Sequence, residues 1–254
     1  MQIDQKGSSR GDNKITLEVE RLTLTIQGLK ILDNISFKIC RGKTVGIIGP
    51  NGSGKTSLFN LLSGFYTQDT GIIKLYGEEI SNLPPYVRAR RGLGRTFQNF
   101  GIFRDMTLLE NIILSLESRK GAWRSFFPWS KAHKENRKEA MVILGGVNLE
   151  NKADELAANL SGGQQRLLEL ARIMALQSQV LLLDEPTAGV APKLREALGE
   201  QISLLKERDR TILIIEHDLE FIENFCDQAI VLNNGVIQAI ASPTELRETN
   251  QLKW

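Results

Sequence analysis

Apolar residues in this chain follow two spacings that take turns along it. Leu17, Val19, Leu22 and Leu24 alternate with polar neighbours, and Ile35, Phe37 and Ile39 do so again, which predicts half-exposed strands. Ile72 to Tyr76 is a further short strand, closed by a turn at Gly77. These segments are expected to pair as a small antiparallel sheet. Val45 to Ile48, Val180 to Leu183 and Thr211 to Ile215 are instead continuous apolar runs, as in strands buried on both faces. Elsewhere the spacing is helical. Leu108, Leu109, Ile112, Ile113 and Leu116 form one stripe, Ala140, Ile143, Leu144 and Val147 another, and Leu167, Leu170, Ala171, Met174 and Ala175 a further one. Pro84-Pro85 and Pro192 each open a helix. The first of these carries Arg88, Arg90 and Arg91 on a face expected to meet solvent. Gly92 to Phe97 reads as a strand ending at Gln98, and Ala229–Leu232 with Val236–Ile240 as a hairpin around Asn233-Asn234-Gly235. Strands alternating with helices predict an α/β fold with a parallel sheet, into which a helical block is inserted between about Gly101 and Gln177.

Composition narrows the class without naming it. The chain has 254 residues, 41% of them hydrophobic, enough for one large domain with a substantial core. Lys plus Arg is 32 against 30 for Asp plus Glu, a net charge of +2, so no basic excess points to a nucleic-acid partner. Cys40 and Cys226 provide neither a disulfide framework nor metal-ligand spacing, which fits a reducing cytoplasm. No apolar run approaches the roughly eighteen residues of a membrane-spanning helix. Met1 to Lys14 is polar, lacks the apolar core of a signal peptide and is expected to be a disordered tail.

The chemistry is concentrated at Gly49-Pro50-Asn51-Gly52-Ser53-Gly54-Lys55-Thr56, followed by Ser57. An apolar strand precedes it and a helix follows, the context in which G-x-x-x-x-G-K-[ST] is a phosphate site. The glycines let the backbone approach an anion, and free N–H groups with the positive helix end then face the phosphates. Lys55 is expected to reach the β- and γ-phosphates and the Thr56 hydroxyl to ligate Mg²⁺, so a nucleoside triphosphate with Mg²⁺ is the implied ligand pair. Leu181-Leu182-Leu183-Asp184-Glu185 is a buried strand ending in two acids. In such a site the first supports the metal and the second polarises the attacking water. Leu160-Ser161-Gly162-Gly163-Gln164-Gln165 is a second anion-binding turn entering a helix. One γ-phosphate needs only one such site. A second implies two chains that meet, each offering Ser161, Gly162, Gly163 and Gln164 to the nucleotide held by the other.

In order and spacing, Gly49–Thr56, Gln98, Leu160–Gln164, Leu181–Glu185 and His217 resemble an ABC transporter ATP-binding subunit, over nearly all of the chain after about residue 15. Gly94-Arg95-Thr96-Phe97-Gln98, Ile102-Phe103-Arg104-Asp105-Met106-Thr107, Glu110-Asn111 and Gly64-Phe65-Tyr66 are similar to the branch serving branched-chain, or hydrophobic, amino acid uptake. The resemblance implies a P-loop NTPase (RecA-like) core with an antiparallel β subdomain and an inserted α-helical subdomain, all one domain from residue 15 to 254. It implies an ATPase that dimerises on MgATP, with itself or with a second ABC subunit, at the cytoplasmic face of the plasma membrane. Membrane permease subunits and an extracytoplasmic solute-binding protein would complete the system. Gln98 would touch Mg²⁺ or the attacking water and sense the permease, and His217 would contact the γ-phosphate beside the base Glu185.

Two positions depart from that pattern. Ile26 stands where an adenine-stacking aromatic is usual, which implies weaker base selectivity. Ala191 stands where Asp or Asn usually links the two sites of a dimer. The run from Arg119 to Lys138 interleaves Trp123, Phe126, Phe127 and Trp129 with basic residues. It reads either as a helical hairpin burying its own rings or as a segment facing anionic headgroups. Urea or amide uptake, lipid or lipopolysaccharide export, a non-transport ABC ATPase and a binding-only module remain the alternatives.

Overall fold

The computed structural model describes residues 14–96, 101–120 and 131–249. Gln98, Phe97, the ring-bearing stretch Trp123–Trp129 and all of the expected N-terminal tail but Lys14 lie outside these residues.

Two alternating strands open the fold, β1 (Ile15–Ile26) and β2 (Leu29–Cys40). They are joined by the two-residue turn Gln27-Gly28, with φ of 51° and 80°, the left-handed pair that suits the twist of a hairpin. After β3 (Thr44–Ile48) and α1 (Lys55–Ser63), the strands β4 (Thr70–Leu75) and β5 (Glu78–Glu79) return to the same layer. The sheet order is β2-β1-β4-β5, all antiparallel. The chain then runs through α2 (Pro85–Arg90) and β6 (Leu93–Arg95) into three helices, α3 (Leu108–Lys120), α4 (Lys131–Gly146) and α5 (Gly162–Leu176). It continues with β7 (Val180–Asp184), α6 (Pro192–Glu207), β8 (Thr211–Ile215) and α7 (Leu219–Phe225). The hairpin β9 (Gln228–Asn233) and β10 (Val236–Ala241) and the short α8 (Pro243–Glu248) end the described chain.

The second sheet has the order β10-β9-β3-β8-β7-β6, parallel throughout except at the β10 edge. Its strands alternate sides, as the two-residue period requires. Val45, Ile47, Leu182, Leu213 and Ile215 face a core shared with the antiparallel sheet and α1. Leu181, Leu183, Ile212 and Ile214 face a core shared with α3, α4, α5 and α6. Both faces are covered, which is why these strands read as unbroken apolar runs. Each such fully buried side chain contributes about 1.5–3 kcal/mol. The α3 stripe is buried as its spacing requires, with Leu108, Ile112 and Leu116 at 0% exposure.

One expectation fails. Arg90 and Arg91 meet solvent, but Arg88 is buried, with 1% of its surface exposed. Its guanidinium donates to the carbonyls of Leu61 and Leu62 at 2.6 and 2.8 Å, Leu83 at 2.8 Å and Ser81 at 2.7 Å. The last carbonyls of α1 need donors that the helix itself cannot supply, and this side chain provides them. Burial lowers the Arg88 pKa to about 10, still far enough above neutrality to keep the cation.

Candidate functional site

The glycine-rich loop leaves the carboxyl end of β3, which lies between β9 and β8 in the parallel sheet. Asp184 ends β7, and Glu216 and His217 follow β8, so three strands deliver their ends to one edge. Crevices outside the carboxyl ends of parallel strands are where such folds take ligands.

The loop is held tightly. Gly49 has a φ of 153°, and a Cβ there would lie 1.9 Å from the Leu232 carbonyl oxygen. Gly54, at φ 103°, would place a Cβ 2.7 Å from Leu32 Cδ2. Lys55 is buried and folds over the loop, donating to the carbonyls of Gly49 at 2.8 Å and Pro50 at 2.9 Å. Burial lowers its pKa, and the charges of Glu185 and Asp184 oppose that shift. The ammonium therefore sits where both acids act on it. Asn51, Gly52 and Thr56 are exposed, while Ser53 is buried, its hydroxyl without a hydrogen-bond partner among the described residues. The β9–β10 turn grips the loop from behind. The Gly235 N–H donates to Ser53 O at 3.1 Å, and its carbonyl accepts from Asp33 N at 2.8 Å, tying the loop to both sheets.

Asp184 is fully buried. Its Oδ2 accepts from Arg95 Nη2 at 3.1 Å, and its backbone N–H donates to Thr96 Oγ1 at 2.9 Å. Burial raises its pKa and Arg95 pulls it back down. Its Oδ1 is buried without a hydrogen-bond partner among the described residues. The orphaned Asp184 oxygen and the Thr56 hydroxyl are hard oxygen donors, the ligand chemistry that suits a hard cation such as Mg²⁺.

Glu185 adopts φ 47°, a left-handed turn that costs a non-glycine residue about 1 kcal/mol or more. Its N–H donates to Ile215 O at 3.0 Å, and its Oε1 lies 3.2 Å from His217 Nε2. Behind this pair the buried Glu216 accepts from the N–H groups of Thr187 at 2.8 Å and His217 at 3.1 Å. Burial raises its pKa, and these N–H donors oppose the shift. Arg195 makes a parallel tie, donating to Val190 O at 2.8 Å and to Asp218 Oδ2 at 3.0 Å. Spacing assigns no role to Arg95, Glu216 or Arg195. The signal for Glu216 is its place directly after the four apolar residues Ile212–Ile215, where a buried acid needs backbone donors.

Ser161 caps α5 in a reciprocal capping box: its hydroxyl accepts from Gln164 N, and its own N–H donates to Gln164 Oε1. Ser161 and Gly162 are exposed, and space above Gly162 is open, whereas Gly163 packs beneath Leu194 and Val190. Hydrogen bonds of Ser161–Gln164 among the described residues stay within the turn and its helix. Contacts and charges within the chain thus join Lys55, Asp184, Glu185 and His217, but not Ser161–Gln164. Ile26 is 37% exposed at the end of β1. Ala191 precedes α6 and offers it no side-chain cap.

The fold and this arrangement define a P-loop NTPase. Residues 32–188 match the ABC transporter family, and the chain belongs to that family. It is 38% identical over 238 residues to the high-affinity branched-chain amino acid transport ATP-binding protein BraF of Pseudomonas aeruginosa, covering 91% of this chain and 93% of that protein. The corresponding protein LivG of Escherichia coli is 36% identical over 237 residues, with the same coverage of 91% and 93%. The lipopolysaccharide export ATP-binding protein LptB of Haemophilus influenzae is 33% identical over 237 residues, 93% of this chain and 95% of that one. Among solved structures, the ADP conformation of an ATP-binding cassette of an ABC transporter superposes with a TM-score of 0.83. The two are 30% identical, over 94% of this chain and 97% of that one. A nucleotide-free cassette superposes with a TM-score of 0.82 at 31% identity, over 93% and 95%. No helix among the described residues is long and apolar enough to cross a membrane.

Proposed function

We propose that this chain is the ATP-hydrolysing subunit of an importer for branched-chain or other hydrophobic amino acids, working at the cytoplasmic face of the membrane against permease subunits. The observation that carries the chemistry is the group formed by Lys55, Asp184, Glu185 and His217 at the strand ends, with Glu185 and His217 3.2 Å apart. The similarity to BraF and LivG over nine-tenths of the chain supports the substrate class. Gly49–Gly54 wrap the phosphates, Lys55 leaves its loop carbonyls to reach the β- and γ-oxygens, and Ser57 stands at the first helical turn. Thr56, Asp184 and Gln98 are the residues proposed to hold Mg²⁺, which when bound neutralises charge on the β- and γ-phosphates. Glu185 accepts the proton of the water whose oxygen attacks the γ-phosphorus, as the bond to ADP breaks. His217 orients that carboxylate and contacts the γ-phosphate. The Ser161–Gln164 turn, exposed at Ser161 and Gly162, closes the site of a second ABC subunit, identical or different. A solute-binding protein outside the membrane supplies the permease.

The identity to LptB favours a second reading, an export system for a lipid. The test is ATPase rate against protein concentration, followed by reconstitution with permease subunits of each type. A rate that rises faster than linearly supports the paired site. Stimulation by amino acid permeases and their loaded binding protein supports uptake, whereas stimulation by lipid-export subunits alone replaces it.

A further inference from the structure

Within the strand-end cluster, the nucleotide reading leaves the guanidinium of Arg95 without a task. It stands on the edge strand β6, yet only 7% of its side chain is exposed, and it reaches across to the wholly buried Asp184. Nη2 donates to Asp184 Oδ2 at 3.1 Å, while Nη1 donates to Asn60 Oδ1 at 2.8 Å and Ser63 Oγ at 2.7 Å. Both of those acceptors belong to α1, the helix that begins at Lys55. The cation also lies over the rings of Phe59 and Phe65, 5.7 and 6.0 Å from their centroids. One planar group therefore ties the helix of the phosphate loop to the carboxylate at the end of β7. The neighbouring Thr96 hydroxyl, on the same strand exit, accepts the Asp184 N–H at 2.9 Å.

The asymmetry at Asp184 gives this tie its meaning. Oδ2 is taken by Arg95, and Oδ1 is buried with no hydrogen-bond partner among the described residues. A carboxylate free to rotate would present either oxygen to a cation. One whose Oδ2 is held by a fork that is itself fixed at two further points presents only Oδ1. Partners behind a metal ligand orient it in this way and set its affinity. Lys could replace the charge but not the fork, because a single ammonium cannot span acceptors on α1 and β7 with fixed geometry.

We infer that Arg95 is a positioning residue for the metal site: it pins Asp184 by Oδ2 to the phosphate-loop helix, so that Oδ1 alone is offered to the divalent cation. The inference rests on the MgATP reading of the site. The geometry also makes Arg95 part of the wall of an outward-facing groove of about 640 Å³ shared with Phe65, Tyr86 and Ser178. A change in that groove has a direct path to the metal carboxylate.

The test is Mn²⁺ binding to the full chain in the presence of ADP, read from loss of the free-ion electron paramagnetic resonance signal. Wild type, Arg95→Met and Arg95→Lys are compared, with fluorescent-ATP affinity in EDTA measured on the same samples. The expected result is a loss of Mn²⁺ affinity of about tenfold or more in Arg95→Met, partial recovery in Arg95→Lys, and metal-free nucleotide affinity within about twofold of wild type. Should Arg95→Met fail to fold, Arg95→Lys decides by itself: a weaker Mn²⁺ site with intact metal-free binding supports the inference. Mn²⁺ affinity equal to wild type in the folded variants overturns it. So does a parallel fall of metal-free nucleotide affinity, which would make Arg95 a support of the loop in general. A wild type that binds ADP but no Mn²⁺ would instead overturn the metal reading of Asp184 itself.

Discussion

Glu185 Oε1 lies 3.2 Å from His217 Nε2, although the two residues follow different strands, β7 and β8. The left-handed turn at Glu185 aims its carboxylate at the histidine, and buried Glu216 holds both loops by their N–H groups. If Glu185 is the base, Glu185→Gln should lower turnover by about 10²–10⁴ and leave ATP affinity near wild type. The same variant should accumulate as an ATP-bound dimer in size-exclusion chromatography. Turnover within tenfold of wild type would remove Glu185 from that role.

Lys55, the buried cation of the glycine loop, donates to the loop carbonyls of Gly49 and Pro50 and is the charge the loop can offer a phosphate. Lys55→Ala should therefore weaken ATP binding by roughly 10–100-fold, the worth of one or two charge-assisted hydrogen bonds. Calorimetric titration with ATP reads this directly. Unchanged affinity would contradict the phosphate site.

Arg88 carries a structural prediction far from the chemistry. Arg88→Ala takes this donor from the carbonyls of Leu62, Ser81 and Leu83, leaves Leu61 O only the Gly64 N–H, and opens a hole beneath α1, so unfolding free energy should fall by about 3–5 kcal/mol. Denaturant titration checks it, with Arg90→Ala, an exposed position on the same helix, expected within about 0.5 kcal/mol of wild type.

Asp227 offers a pH signature. Burial pushes its pKa up, but Lys206 at 2.8 Å and the Thr44 N–H at 2.8 Å overcome that and hold it below the ordinary 3.8. A lowered folded-state value stabilises the native state above the unfolded value and loses that contribution as pH falls through the folded one. Asp227→Asn should thus cost about 1–2 kcal/mol at neutral pH, and the gap from wild type should begin to narrow only near pH 4 and vanish as pH falls through the lower folded-state value. A gap that does not narrow at all on going from about pH 5 to about pH 2 would assign the effect to packing.

Most of the core strands and the apolar stripes of α3, α4 and α5 are legible in the sequence because burial leaves a pattern that neighbouring residues alone display. Leu181 and Leu183 face one core and Leu182 the other, yet the run reads as buried without knowing either partner. Arg88 departs from its sequence pattern for the complementary reason. A helix surface of Arg88, Arg90 and Arg91 looks uniformly solvated in sequence, since the carbonyls that claim Arg88 end a helix more than twenty residues earlier.

What the chain determined by itself is local: the glycine loop with its lysine, the two acids closing an apolar run, and the Ser161-Gly162-Gly163 turn entering a helix. Each is a set of adjacent residues whose conformational freedom or charge has only one common use. Tertiary structure alone decided which of them meet. Parallel strand order brings Lys55, Asp184, Glu185 and His217 to one edge, and the long cross-connections of Arg95 to Asp184 and of Gly235 to Ser53 exist only once that order is set. Such contacts span tens to nearly two hundred residues of chain, and no periodicity in sequence encodes a partner that distant.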